Sequence, residues 1–167
     1  MLALRFVDIK DFMNKLLCTD LFDHFLLSEA SISTYADFSI DGHLNPDFFN
    51  PEDPQYEQFK EAGIVPFSLL RPVCYSLIKG KSTPLGFHFV FQLSPLNQQR
   101  TIEKSGSSFK SEDITGMFLN LRYRDQQLTC TTGISYRTFT PDKSLEQEWD
   151  RLIPLFFKGH RIPFEIL

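Results

Sequence analysis

The stretch Leu85-Gly86-Phe87-His88-Phe89-Val90-Phe91-Gln92-Leu93 alternates between two kinds of side chain along its whole length. Every second residue is leucine or phenylalanine, and a period of two is typical of a β-strand whose two faces differ. The chain also contains 18 phenylalanines against one tryptophan and three methionines. Because phenylalanine suits half-buried sheet faces, we expect a fold built on a sheet rather than on a helix bundle.

Two further strands are predicted downstream, pairing across Asp125-Gln126. The first places Met117, Leu119, Leu121 and Tyr123 on one face and Asn120, Arg122 and Arg124 on the other. The second alternates Leu128, Cys130, Ile134 and Tyr136 with threonines, Gly133 and Arg137. One apolar and one polar face indicate an antiparallel sheet that helices cover on one side.

Three main helices are predicted to cover the apolar face. The first runs from about residue 8 to 18 and is capped by Asp8. The second covers about 72–79, with Pro72 at its first position and Gly80 just past its end. The third covers about 144–159 and opens on Ser144 and Gln147, which resemble a capping box.

The remaining segments complete an α+β domain. Short strands are expected at 3–7 and 161–167, and a hairpin with arms at about 24–35 and 35–41, which closes at the turn signal Asp41-Gly42. The polar segment 97–113, in which serines flank Gly106, is interpreted as a mobile loop. We therefore expect a single α+β domain over residues 1–167, a largely antiparallel sheet with about three main helices packed on one face.

Charge and composition restrict the class of protein. Seventeen Lys and Arg against 21 Asp and Glu give a net charge of −4, which argues against bulk affinity for nucleic acid but leaves a local basic patch open. The cysteines Cys18, Cys74 and Cys130 form no C-x-x-C pair, so no zinc or redox site is predicted, and each thiol is expected to be a small apolar core residue. With no secretory segment and no apolar stretch near membrane-spanning length, we expect a cytoplasmic protein without cofactor, metal or membrane.

Arginines on the polar sheet face form the first candidate site. Arg122, Arg124 and Arg137 fall on adjacent predicted strands. Together they could bind the carboxylates or phosphates of a partner. The alternative is that they are solvated or paired with Asp and Glu, as exposed arginines usually are.

A second basic group brackets the second predicted helix. Arg71, Lys79 and Lys81 could form an anion or phosphate site. The alternative is structural, because cations near a helix C-terminus complement the negative end of the helix dipole.

Catalytic signals are weak, and no catalytic residue is assigned. The four histidines lack metal-ligand spacing. Asp41 could orient His43 as a base, although a turn aspartate beside an exposed histidine is the simpler interpretation. Cys130 lies within a strand rather than on a strand-to-helix elbow, so we expect a buried structural thiol.

Several phrases of the chain are familiar in combination. They are Val7-Asp8-Ile9-Lys10-Asp11-Phe12-Met13, Phe38-Ser39-Ile40-Asp41-Gly42, Leu70-Arg71-Pro72, Ile78-Lys79-Gly80-Lys81, Asp142-Lys143-Ser144-Leu145-Glu146 and Trp149-Asp150. The set resembles an uncharacterised bacterial family of similar length, a domain of unknown function. The resemblance spans nearly the whole chain and implies a stand-alone bacterial protein, without an activity, substrate or catalytic residue.

Three functional hypotheses follow. The first is a non-catalytic cytoplasmic binding or interaction protein that uses the arginine-bearing sheet face and the segment around Gly106, with a protein partner or as a homo-oligomer. The second is a small enzyme or binder acting on a phosphorylated or acidic metabolite, with Arg71, Lys81 and a histidine in one cleft. The third is a clamp-like nucleic-acid-associated protein. An enzyme requires His43 or His88 next to a carboxylate and facing a concave pocket.

Overall fold

The computed structural model describes residues 1–167 and contains one seven-stranded antiparallel sheet. The strands are β1 Ala3–Phe6, β2 Leu26–Ser33, β3 Asp37–Asp41, β4 Gly86–Gln92, β5 Ile114–Arg124, β6 Gln127–Tyr136 and β7 Phe164–Ile166. Their spatial order is β3-β2-β4-β5-β6-β1-β7, and each neighbouring pair is antiparallel. The α+β class and the antiparallel sheet are therefore confirmed.

Five α-helices accompany the sheet, rather than about three. They are α1 Ile9–Cys18, α2 Pro54–Phe59, α3 Phe67–Ile78, α4 Pro95–Ser105 and α5 Ser144–Gly159, and 3-10 turns cover Pro46–Phe48 and Ser111–Asp113. None of the helices is long and apolar enough to cross a membrane.

The core lies between the sheet and the helices and is rich in phenylalanine. On β4, Phe89 and Phe91 are fully buried, as the alternation of that stretch predicts. The Phe91 ring lies 5.0 Å from that of Phe67 on α3, and the Phe6 ring of β1 lies 5.0 Å from that of Phe157 on α5. Because burying one such side chain stabilises the fold by roughly 1.5–3 kcal/mol, these contacts hold the helices to one face.

The hairpin between β5 and β6 turns at Asp125 and Gln126, as predicted. Both residues have positive φ, 50° and 61°. Two successive residues of this kind form the type I′ turn, whose twist matches that of the flanking strands. The turn sets the register that aligns Arg122 with Thr129 and Arg124 with Gln127.

The predicted cap of α1 is confirmed, whereas that of α5 is wrong. Asp8 Oδ1 accepts a hydrogen bond from the Asp11 amide at 3.0 Å. At α5, the Ser144 hydroxyl is buried without a hydrogen-bond partner and makes no cap. Asp142 replaces it, because its carboxylate accepts the Ser144 amide at 2.8 Å.

The predicted start of the second main helix at Pro72 is wrong. Helix α3 begins at Phe67, directly after Pro66, and Pro72 lies inside it. The Phe67 side chain is fully buried. Because tertiary packing of the apolar face supplies most of the stability of a helix, the buried first turn extends α3 beyond the proline signal.

The segment 97–113, predicted as a mobile loop, contains helix α4 and a 3-10 turn instead. The Ser94 hydroxyl accepts a hydrogen bond from the Asn97 amide at 3.4 Å, and Pro95 occupies the first turn. Gly106, with φ 64°, ends the helix. These are ordinary start and stop signals, but the polar composition masked them because Ile102 is the one large apolar side chain that the helix buries.

The chain reverses between β2 and β3 at residues 34–36, where the two predicted hairpin arms meet, whereas the predicted turn at Asp41-Gly42 is wrong. Gly42 is buried where the chain leaves β3, and its amide donates to the Ser28 carbonyl at 3.0 Å. A Cβ atom at this position would lie 1.6 Å from the Leu27 carbonyl oxygen. Glycine is therefore required there by a close backbone approach rather than by a turn.

Candidate functional site

The sheet face opposite the helices is open and carries a row of polar side chains. Arg122 on β5 pairs with His88 on β4 and with Thr129 on β6. His88 in turn pairs with Ser31 on β2. Because directly paired residues point to the same face of a sheet, these side chains lie side by side across four strands.

The next row along the sheet contains a gap. Gly86 on β4 lies between Ser33 on β2 and Arg124 on β5. Since Gly86 has no side chain, it forms the floor of a depression of about 410 Å³. We call this the arginine depression; its polar walls are Ser31, Ser33, His88, Arg122 and Arg124.

The two guanidinium groups of the depression have little internal compensation. Arg122 takes part in none of the nine ion pairs of the structure. Arg124 Nε lies 3.7 Å from Asp125 Oδ2, but the two side chains are 76% and 90% exposed. Such an exposed, long ion pair contributes little. Both arginines are thus free to bind an external anion.

Arg137 does not join the other two sheet-face arginines. It follows Tyr136, which pairs with Ile114 at the end of the β5–β6 hairpin remote from the turn. Arg137 lies eight residues beyond Thr129, so an extended chain separates them by about 26 Å. The structure brings Arg122 and Arg124 together with His88 and leaves Arg137 at the far end.

Arg71 is already paired within the protein. Its Nε and Nη2 donate to the two carboxylate oxygens of Asp23 at 2.9 and 3.1 Å. This hydrogen bonding raises the pKa of the Arg71 guanidinium above its ordinary value. Because Asp23 lies in the connection between α1 and β2, the pair fixes that connection to α3.

Lys79 and Lys81 lie at the other end of α3, away from Arg71. Arg71 and Lys79 are eight helical positions apart, about 12 Å along the axis. Lys79 Nζ lies 5.7 Å from the centre of the Tyr75 ring, a cation–π contact. The two lysines border a cavity of about 420 Å³ whose other walls include apolar residues of α1. The three basic residues therefore do not form one anion site.

The two candidate histidines meet different requirements of a general base. His43 Nδ1 lies 2.5 Å from Asp41 Oδ1, and hydrogen bonds from the His43 amide and ring lower the pKa of Asp41. Both side chains are largely exposed, and neither borders any of the five principal cavities. His88 borders the arginine depression but has no carboxylate partner. Neither histidine combines a carboxylate with a pocket.

Two of the three thiols are structural. Cys74 and Cys130 are buried, as predicted, whereas the prediction that Cys18 is a small apolar core residue is wrong, because Cys18 is exposed at the end of α1. Burial raises the pKa of Cys74 to about 11 and that of Cys130 even further above its ordinary range. Both therefore remain protonated near neutral pH and pack as small apolar groups. No group of three or more His, Cys, Asp or Glu residues is placed to hold a metal ion.

Sequence patterns gave no signal for two neighbouring cavities on the helical side of the sheet. The first, of about 510 Å³, lies between α5 and residues 21–25. The second, of about 630 Å³, lies beside the start of α4. His24 and Asn97 border both cavities. Their walls come from segments far apart in sequence, which no local spacing could connect.

The molecule is thus an α+β protein with helices on one sheet face and a concave arginine site on the other. Its chain belongs to the Family of unknown function (DUF5721), whose model matches residues 15–165 of the 167. The expected membership of a family of unknown function is confirmed, and bacterial origin stays a prediction. No curated protein and no solved structure matches the chain.

Proposed function

We propose that this protein is a cytoplasmic, non-catalytic binding protein that holds an acidic segment of a protein partner in the arginine depression. One observation carries the proposal. Arg122 and Arg124 flank a concave site with Gly86 as its floor; Arg122 has no ion-pair partner, and the one ion pair of Arg124, with Asp125, is long and largely exposed to solvent.

The chemistry of the depression suits carboxylates. A guanidinium is planar and donates two parallel hydrogen bonds to a carboxylate or phosphate. Two such groups beside His88 and Ser31 can hold two neighbouring acidic side chains. A floor without a side chain lets the bound segment approach the sheet backbone closely, as Gly86 permits.

The charge on the rest of the open face favours a short acidic segment over nucleic acid. Glu29 and Asp41 pair with each other on β2 and β3, and Asp37 lies near the other end of β3. All three are exposed. A long phosphate backbone crossing the sheet would meet all three carboxylates, whereas a short segment held by Arg122 and Arg124 would meet only Asp37, which accepts a hydrogen bond from the Ser33 hydroxyl at the edge of the depression. The net charge of −4 also argues against binding to nucleic acid, and therefore against the clamp-like alternative.

A small phosphorylated or acidic metabolite is the second candidate ligand. The depression, at about 410 Å³, falls within the usual size range of small-molecule sites. Arg71 and Lys81 lie elsewhere, so this ligand would rely on Arg122, Arg124 and His88.

Fluorescence anisotropy with a labelled glutamate-rich peptide tests the proposal. The double variant Arg122→Ala/Arg124→Ala should weaken binding at least about tenfold, since each lost charge-assisted hydrogen bond contributes about 1.5–3 kcal/mol. Arg137→Ala is the matched control, an exposed arginine outside the depression, and should bind like the wild type.

Competition separates the two ligand classes. In this competition, glucose 6-phosphate, inorganic phosphate and an unlabelled dicarboxylate peptide are each used to displace the labelled peptide. If either phosphate compound does so at a lower concentration than the dicarboxylate peptide, the result favours a small metabolite as the ligand. Equal peptide affinity in the double variant and the wild type would contradict both ligand classes at this site.

A further inference from the structure

The 510 Å³ cavity on the helical side has the composition of a ligand site. Eight of its ten wall residues are hydrophobic, among them Phe25, Trp149 and Leu155, and the other two are His24 and Asn97. We call it the apolar cavity. Leu155 is 50% exposed even though it borders a concave site. Small-molecule sites have this size and this mixture of apolar walls with a few polar groups.

The adjoining 630 Å³ cavity differs in character, and we call it the polar annex. Nine of its 14 wall residues are not hydrophobic, and they include Asp23 and Arg100. His24 and Asn97 form the boundary between the apolar cavity and the annex. A molecule that occupied both would have one apolar end and one polar end.

The charged side chains of the annex indicate whether the polar end of such a molecule is an anion or a cation. The Asp23 carboxylate is fully engaged by Arg71, with hydrogen bonds of 2.9 and 3.1 Å. Arg100 takes part in none of the nine ion pairs. The uncompensated charge of the annex walls is therefore positive and favours an anion.

We propose that the apolar cavity and the polar annex together bind a single-chain amphiphile, with its hydrocarbon tail in the cavity and its anionic head group near Arg100. This site lies on the opposite side of the sheet from the arginine depression. It does not depend on the function proposed for that face, because it shares no residue with it.

Trp149 makes the site directly observable. It is the one tryptophan of the chain and forms part of the cavity wall. Its indole Nε1 donates to the Phe118 carbonyl at 3.1 Å, which fixes the ring in place. A tail that enters the cavity changes the surroundings of the ring, so Trp149 fluorescence reports occupancy of this site.

Titration with decanoate, decan-1-ol and acetate, below their aggregation concentrations, separates the contributions of tail and head. Decanoate should give a saturable fluorescence change, decan-1-ol a weaker one and acetate none. Affinity across a series of carboxylates should rise about two- to fourfold per added methylene until the cavity is full. Decyl phosphate distinguishes a phosphate from a carboxylate head, and tighter binding of either keeps the proposal and identifies the head group.

Two variants with matched controls test the two halves of the site. Arg100→Gln should weaken decanoate binding about two- to fivefold and leave decan-1-ol unchanged, since exposed charge pairs contribute modestly. Lys104→Gln, on the same helix but outside the annex, should leave both affinities unchanged.

The apolar cavity is tested by Leu155→Glu, which should abolish decanoate binding. The control is Val73→Glu, at a similarly exposed apolar position on α3, which should bind decanoate like the wild type.

Three results would overturn the proposal. The first is a fluorescence response to decanoate that does not saturate. The second is equal affinity for decanoate and decan-1-ol, together with an Arg100→Gln variant that binds decanoate as tightly as the wild type. This result would exclude a role for an anionic head group. The third is a dimer in light scattering that Leu155→Glu dissociates, with no amphiphile binding, which would make the cavity a contact between copies of the chain.

Discussion

Arg122 and His88 occupy directly paired positions on β5 and β4, with their side chains on the face of the sheet that no helix covers. The same pairing continues to Ser31 on β2. The row therefore places a guanidinium, an imidazole and a hydroxyl side chain on three neighbouring strands, whose backbones lie about 4.8 Å apart. The arginine depression is a consequence of strand register, and the buried side of the same strands fixes that register.

The Arg71–Asp23 pair is expected to stabilise the fold rather than to bind a ligand. Arg71→Ala should lower the free energy of unfolding by about 1–3 kcal/mol, because it leaves the half-buried Asp23 carboxylate without its two hydrogen bonds. Urea denaturation measures the change. Arg5→Ala is the control, since both side chains of its pair with Glu165 are exposed and the pair should contribute less than about 1 kcal/mol.

Equal losses in the two arginine variants would show that Arg71 has no special structural role. A double-mutant cycle with Asp23→Asn adds a direct measurement of the coupling energy between the two side chains.

Gly42 should tolerate no side chain. In Gly42→Ala the new Cβ would lie 1.6 Å from the Leu27 carbonyl oxygen, so β2 and the segment after β3 must separate. We expect the free energy of unfolding to fall by about 3 kcal/mol or more, at or above the upper end of the usual cost of overpacking, because the clash is with backbone atoms that no rotamer change can relieve. Thermal unfolding measures it. Gly133→Ala, with no atom within 4 Å of the added carbon, should be nearly neutral, and a neutral Gly42→Ala would contradict the backbone contact.

Stability should fall in alkaline solution. Burial raises the pKa of Cys74 from 9.0 to about 11, and burial together with Glu146 and Asp142 raises that of Tyr136 from 10.0 to about 12. The unfolded chain releases these protons at lower pH, so the stabilisation is complete below about pH 9 and is lost as pH rises towards 12. Each group reduces the free energy of unfolding by at most about 1.4 kcal/mol per pH unit in its window.

Urea denaturation at several pH values between 8 and 11 measures this decline. Tyr136→Phe should reduce the loss above pH 10. It should also be neutral or slightly stabilising at pH 7, because the Tyr136 hydroxyl is buried without a hydrogen-bond partner. A free energy of unfolding that stays constant from pH 9 to 11 would contradict the assigned burial of both groups.

The strands were predictable where one face is buried and the other exposed. Residues 85–93 and the hairpin at Asp125-Gln126 follow from the period-two pattern and from turn chemistry. Helix α4 was not predictable from its apolar pattern, because it buries Gln98 and Thr101 beside Ile102. The capping residues Ser94 and Gly106 were the sequence signals that marked the two ends of this helix.

The candidate site was predictable only in part, because the alternation of side chains gives the face of the sheet but not the position along it. Alternation identifies which residues share a sheet face, and it placed Arg122 and Arg124 correctly on the open one. It does not show how far apart two residues on that face lie, so Arg137 was grouped with them although it lies at the far end of the hairpin. The apolar cavity joins residues 21, 93 and 152, and no local pattern connects such distant segments.

The most direct test of the arginine depression is an NMR titration that follows the side-chain Nε–Hε signals of the arginines. A glutamate-rich peptide should shift the signals of Arg122 and Arg124 in a saturable manner and leave that of Arg137 in place. Shifts of equal size at all three arginines, or none at Arg122 and Arg124, would show that the depression does not bind acidic segments and would contradict the proposed function.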